Sequence, residues 1–260
     1  MSKAVAVKEE SAVAHVHQIQ NQAKEMAQAM SDTGIDVGDL EIPKVMLMQN
    51  TSEFVSDNLA RLGDIVNTMS MEVLGGFEKP VEMVPLKLYK TLRIYDISGS
   101  EPKFMREEPL NAENAKLPWE GNEGGTPIKR MTHMNYFILL KKEMDEDSSF
   151  PLVVSFKSTG IQAGKQLATH LFKKLSLNQL PYADTVMLTS TKEKKGTNTY
   201  AVFGIGKGQK LSEKGLQDAQ AWLARLASMN YRVAATDEPT VLSVDTGSVT
   251  ATTTGFNELY

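Results

Sequence analysis

The stretch 134–141, MNYFILLK, constrains the fold of this chain more than any other segment. Its apolar residues fall on both alternations of an extended backbone, so both faces need cover. Such a strand belongs inside a sheet rather than at its wet surface. An acidic turn at 143–147 leads to a second strand at 152–157. A helix follows, with Ile161, Gly164, Ala168, Leu171 and Leu175 along its apolar side. Residues 185–192 and 197–205 then flank Glu193-Lys194-Lys195-Gly196 as the two arms of a hairpin.

Upstream, 81–89 is apolar and contains Pro85, which suits an edge or a bulge better than a central strand. Residues 91–97 continue after it. Residues 98–132 are polar, hold four Pro and carry Trp119, and read as a long functional or disordered loop. Short extended segments are expected at 44–49, 64–68 and 71–74. Ser212 is placed to cap a last helix that turns Leu216, Ala219, Leu223 and Leu226 inward. At the N-terminal end, Ala12, Val16, Ile19, Ala23, Met26 and Met30 repeat at helical spacing. An acidic, Gly-containing linker covers 31–41. The last stretch, 233–260, is rich in Thr, Ser and Gly and shows no apolar periodicity. The expected organisation is therefore an N-terminal helix and linker (1–41), a folded domain (42–232) and a flexible tail (233–260).

Charge is unevenly distributed. The whole chain carries a formal net charge of −4, yet residues 79–215 hold 21 Lys/Arg against 15 Asp/Glu. The excess is steepest at 149–215, where ten Lys face only Asp184, Glu193 and Glu213. Lys157 ends a strand, Lys165, Lys173 and Lys174 ride on the helix, Lys192, Lys194 and Lys195 crowd the hairpin turn, and Lys207 follows the last strand. Aromatic residues interleave. A cationic groove with stacking rings is what a single-stranded nucleic acid needs: the cations follow the phosphates and each ring offers a base-independent π face. Tyr136, Tyr182, Tyr200 and Trp119 lie in polar or alternating contexts and are the stacking candidates, whereas Phe137, Phe156 and Phe203 read as core.

Other chemistries fit less well. There is no cysteine, which excludes disulfides and thiolate metal sites and agrees with a reducing cytoplasm. No apolar run approaches the ~20 residues that span a bilayer, and the first residues lack a secretory core, so a cytoplasmic protein without a membrane role is expected. Gly204-Ile205-Gly206-Lys207-Gly208 lacks the spacing of a dinucleotide cradle. Residues 160–166, GIQAGKQ, stop one residue short of a phosphate loop and end in Gln. His15, His17, His133 and His170 form no recognisable metal set. Neither a cofactor nor a metal is expected. One catalytic pattern stands as an alternative: Asp184 with Glu193 and Lys195 resembles the carboxylate–lysine arrangement of metal-dependent nucleases, in which carboxylates hold a divalent ion.

Ile42-Pro43-Lys44-Val45, Gly63-Asp64-Ile65, the 81–85 strand and then a strand, a helix and a Lys-rich hairpin ending at 200–204 resemble DNA-binding proteins of tailed bacteriophages. The likeness covers about 40–225 and lies in the layout. It implies an α+β fold: a small antiparallel oligonucleotide/oligosaccharide-binding (OB) barrel elaborated by N-terminal and C-terminal helices. It also implies single-stranded DNA binding in phage replication or recombination, without chemistry of its own, in the host cytoplasm. The end of the chain, with Phe256, Glu258, Leu259 and Tyr260, resembles the tip through which single-stranded-DNA-binding proteins dock on replication and repair partners. The rival expectations are a strand-annealing protein that forms homo-oligomers through residues 12–30, the nuclease, and a virion or protein-interaction component.

Overall fold

The computed structural model describes residues 41–228 and 232–233. The expected helix at 9–30, the acidic linker up to residue 40 and the tail after residue 233, with Phe256, Glu258, Leu259 and Tyr260, lie outside the described residues. Ten strands form one sheet: β2 (Lys44–Leu47), β3 (Ile65–Asn67), β4 (Val73–Gly75), β5 (Val81–Asp96), β6 (Lys103–Pro109), β7 (Glu120–Glu123), β8 (Thr126–Leu140), β9 (Leu152–Phe156), β10 (Asp184–Lys195) and β11 (Asn198–Lys210). Two short strands, β1 (Glu41–Ile42) and β12 (Arg232–Val233), pair in parallel beside it. The main order is β11-β10-β5-β8-β9-β2-β3-β4, with β6 on the outer half of β5 and β7 on the outer half of β8. All pairs within this sheet are antiparallel except β2 with β9.

The apolar segment in 134–141 is the inner half of β8, and both of its faces are buried. Met134, Tyr136, Ile138 and Leu140 join one core, and Phe137 and Leu139 join the other. Each core has its own helix. Helix α3 (Ile161–Ser176) covers the first through Ala163 and Leu167, and α4 (Glu213–Ser228) covers the second through Ala219, Trp222 and Leu226. Two short helices, α1 (Glu53–Ser56) and α2 (Lys141–Asp145), complete the described α-helices. Ser212 caps α4 as its position predicts, accepting the Gly215 N–H at 3.2 Å.

The expected small OB barrel is not what forms. Its place is taken by a large, mixed, open sheet that curls around α3. Two local features account for the difference. Residues 81–89 and 91–97 are one continuous 16-residue strand, in which Pro85 sits at a bulge in the pairing with β8 and beyond the stretch that pairs with β10. A residue without an N–H is tolerated there because no ladder bond is asked of it. Residues 98–132, read from composition as a loop, supply β6, β7 and the outer half of β8. Together with outer β5 they form a four-stranded arm that extends the sheet.

The curl brings the edge strand β11 back toward β2. Gln49, just past β2, donates to the Ala201 carbonyl and accepts from the Ala201 N–H, both at 3.0 Å. The next residue, Asn50, donates to the Thr199 carbonyl at 3.1 Å. Two side chains thus tie the open edge strand β11 to the end of β2, which lies inside the sheet between β9 and β3.

Candidate nucleic-acid interface

The β10–β11 hairpin is longer and tighter than the sequence implies. Its turn is Gly196-Thr197, with Gly196 at φ 61°, and Lys192, Glu193, Lys194 and Lys195 lie on the strand itself. Cross-strand partners share a sheet face. On β10, Val186 and Leu188 point into the core under α3, and Lys192 and Lys194 continue that row outward. Opposite them, Phe203 and Ile205 pack on the same core and Lys207 continues their row. Lys195 shares the other face with Glu193 and Tyr200. On α3, Lys165 and Lys173 are exposed.

Partners separate these cations into classes. Lys174 is ion-paired with Asp184 and is half-buried. Lys192 stands over the Phe77 ring, 5.5 Å from its centroid. Lys165, Lys173, Lys194, Lys195, Lys207 and Lys210 are exposed and form no ion pair among the described residues. Lys157 belongs to a different place. It is half-buried beyond β9, near His133, and its charge helps to keep that imidazole neutral.

The aromatic candidates divide just as sharply. Tyr136 is fully buried; its hydroxyl donates to the Gly164 carbonyl at 2.8 Å, and its ring meets Phe156 edge-on. Tyr182 is buried in the α4 core. Neither ring has a face open to a base, because alternation set against both helices leaves these two tyrosines inside. Tyr200 is half-buried on the hairpin and donates to Glu193 at 3.1 Å, a bond that raises its pKa. Trp119 is 52% exposed, with the Lys129 ammonium 4.6 Å from its ring centroid. Phe172 is 71% exposed on α3, between Lys165 and Lys173 in the sequence. Sequence reasoning missed it, although it stands off the apolar stripe of an amphipathic helix and next to a lysine, which is the readable sign of an outward ring.

The nuclease constellation does not assemble. Asp184 and Glu193 are nine residues apart on one extended strand, about 30 Å. Asp184 is engaged with Lys174, and Glu193 with Tyr200.

On the sheet face that carries α4, beyond the reach of Phe137 and Val153, lies a buried polar row. His133 is 1% exposed and shares a 3.1 Å hydrogen bond between Nδ1 and the Ser155 hydroxyl. Asn135 donates to Thr91 at 3.1 Å, and Arg93 pairs with Glu107 at 2.8 Å. Burial, with Arg93, Lys157 and Lys44 nearby, lowers the His133 pKa to about 2. Burial, with Arg93 next, lowers that of Lys44 to about 8. This row is buried, and its Arg93 is paired with Glu107.

A family model described as Pam3 phage gp34-like protein matches residues 9–232. The chain belongs to the Pam3 phage gp34-like family. No curated protein and no solved structure matches it. The membership ties the chain to bacteriophages, and in this Pam3 phage gp34-like protein no described helix is long and apolar enough to cross a membrane.

Proposed function

We propose that this protein binds single-stranded DNA without strong sequence preference, in phage DNA replication or recombination. The observation that carries the reading is the set of exposed lysines on α3 and the β10–β11 ribbon that have no acidic partner among the described residues. Surface lysines that form no ion pair leave a positive field only partly compensated, and phosphates release counterions to it. Lys165, Lys173, Lys192, Lys194 and Lys207 are the phosphate contacts, Phe172 and Trp119 are the rings at hand for stacking, and Tyr200 offers a ring on the opposite face of the ribbon beside Lys195. Partner proteins that dock on Phe256, Glu258, Leu259 and Tyr260, and self-association through residues 12–30, belong to the same reading.

The test is a gel-shift comparison of single- and double-stranded DNA, with and without Mg²⁺, across a salt series. Preferential retention of single strands is expected, and cleavage in Mg²⁺ would point to the nuclease alternative instead. The triple change Lys192→Ala, Lys194→Ala, Lys195→Ala should weaken binding and reduce the salt slope by ~0.7 for each phosphate that is no longer neutralised. Unchanged affinity and slope in that variant would remove the hairpin from the interface.

A further inference from the structure

Between the β-arm and the start of α3 lies a groove of about 250 Å³. Its walls include Leu92 on β5, Leu117 and Trp119 before β7, Arg130 and Met131 on β8, and Ser158 just before α3. The volume is below the ~300–1,000 Å³ of pockets for drug-sized ligands, which suits a single flat ring system. Three apolar side chains and a half-exposed indole make the walls greasy and planar.

The groove also holds a fixed guanidinium and one hydroxyl that the fold leaves short of a good acceptor. The Arg130 side chain is 9% exposed and anchored at both ends of its fork. Nη1 donates to the Pro118 carbonyl at 3.1 Å, and Nη2 to Glu123 Oε1 at 3.0 Å. Its Nε–H is buried and has no hydrogen-bond partner. That nitrogen is sealed from solvent, so the guanidinium serves as a fixed wall of the groove, held by Pro118 and Glu123. The Ser158 hydroxyl finds only the Met131 sulfur, a weak acceptor, at 3.5 Å.

Charge around the groove is balanced. Glu123 also pairs with Arg106 at 2.8 Å, and Glu120 accepts the Trp119 indole N–H at 3.2 Å. A phosphate gains little there, whereas a planar ring with carbonyl or ring-nitrogen acceptors gains on both counts. Lys165 sits one helical turn beyond Ile161, which also lines the groove, so the backbone of a strand tracked by Lys165 passes the opening.

We infer that this groove takes one unstacked base of the bound single strand, its ring against Trp119 and an acceptor edge at the Ser158 hydroxyl. The inference rests on the single-strand-binding reading above and names the subsite that reading lacks. Gly121 is part of the device: a Cβ there would stand 2.7 Å from Arg130 Nη1 and displace the guanidinium.

The experiment is a titration of the full chain with an oligothymidylate, following affinity, salt slope and tryptophan fluorescence. Trp119 is exposed, so Trp119→Ala should fold normally. Its affinity should fall about 5- to 150-fold, the range of one base-stacking interaction, with the salt slope unchanged. Trp119→Phe should retain most of the affinity. Gly121→Ala, verified folded by its melting curve, should also bind more weakly. If the wild type binds and Trp119→Ala binds equally well, or loses affinity together with salt slope, the base subsite is wrong while the lysine interface stands. If the wild type binds no single strand, both readings fall.

Discussion

At the residue scale, the buried His133 makes the clearest statement. Its pKa in the folded protein is lowered to about 2 from the usual 6.5. Between those values the unfolded chain binds a proton that the folded chain refuses. The stabilising contribution is therefore complete above pH 6.5 and is lost progressively as pH falls through that window, at up to ~1.4 kcal/mol per pH unit. His133→Gln cannot take up the proton. Urea midpoints of the two proteins measured at descending pH should converge, because only the wild type loses this contribution. Parallel curves would show that the fold does not hold the imidazole neutral. The sequence placed His133 outside any metal set, but its neighbours Lys44, Arg93 and Lys157 come from three separate segments. No spacing rule brings those together.

At the element scale, the helix that carries half of the candidate interface is seated by one glycine. Gly164 lies on the buried side of α3, where a Cβ would stand 2.8 Å from the Cβ of Phe156 and 3.1 Å from its Cγ. The first of these atoms is fixed to the β9 backbone and cannot turn away. Helix propensity alone favours Gly164→Ala by ~1 kcal/mol. The close approach opposes it, and overpacking of this kind typically costs ~1–3 kcal/mol. The expected outcome is a lower thermal midpoint, with weakening of the Tyr136–Gly164 hydrogen bond adding to the effect. A raised midpoint would mean that α3 rides farther from β9. The apolar period at Ile161, Gly164, Ala168, Leu171 and Leu175 made both the helix and its inward face legible. The hairpin was legible too, from Glu193-Lys194-Lys195-Gly196. Its true turn was shifted because strand pairing, once started, runs on through charged residues that can point to solvent. What periodicity could not show was that Tyr136 and Tyr182 are inside. Both lie on segments whose polar-looking face is covered by a helix from elsewhere in the chain.

At the scale of the whole molecule, the fold depends on an open sheet keeping its curl. The hydrogen bonds that bridge the gap between β11 and β2 include the pair from Gln49 to Ala201. Gln49→Ala leaves the Ala201 N–H and carbonyl without these partners, and a buried group left unsatisfied typically costs ~1–3 kcal/mol. The Ala201 amide should then exchange with solvent much faster, while amides in the middle of β8 keep their protection. Equal protection of Ala201 in both proteins would show that the curl is held by core packing alone.

The sequence by itself determined the local elements of this protein. The two-sided strand at 134–141, the amphipathic helices, the Ser212 cap, the Pro85 bulge and the concentration of lysine in 149–215 are all consequences of periodicity, backbone restriction and charge along a short stretch of chain. Only the tertiary structure decided that 98–132 is a sheet arm instead of a loop, that a ten-stranded curled sheet takes the place of a small barrel, and that Tyr136 and Tyr182 are buried. The physical reason is one of range. Outer β8 finds its partner in β5, 32 to 40 residues upstream, and a polar, proline-containing segment such as 98–132 becomes strand only when that edge offers its hydrogen bonds.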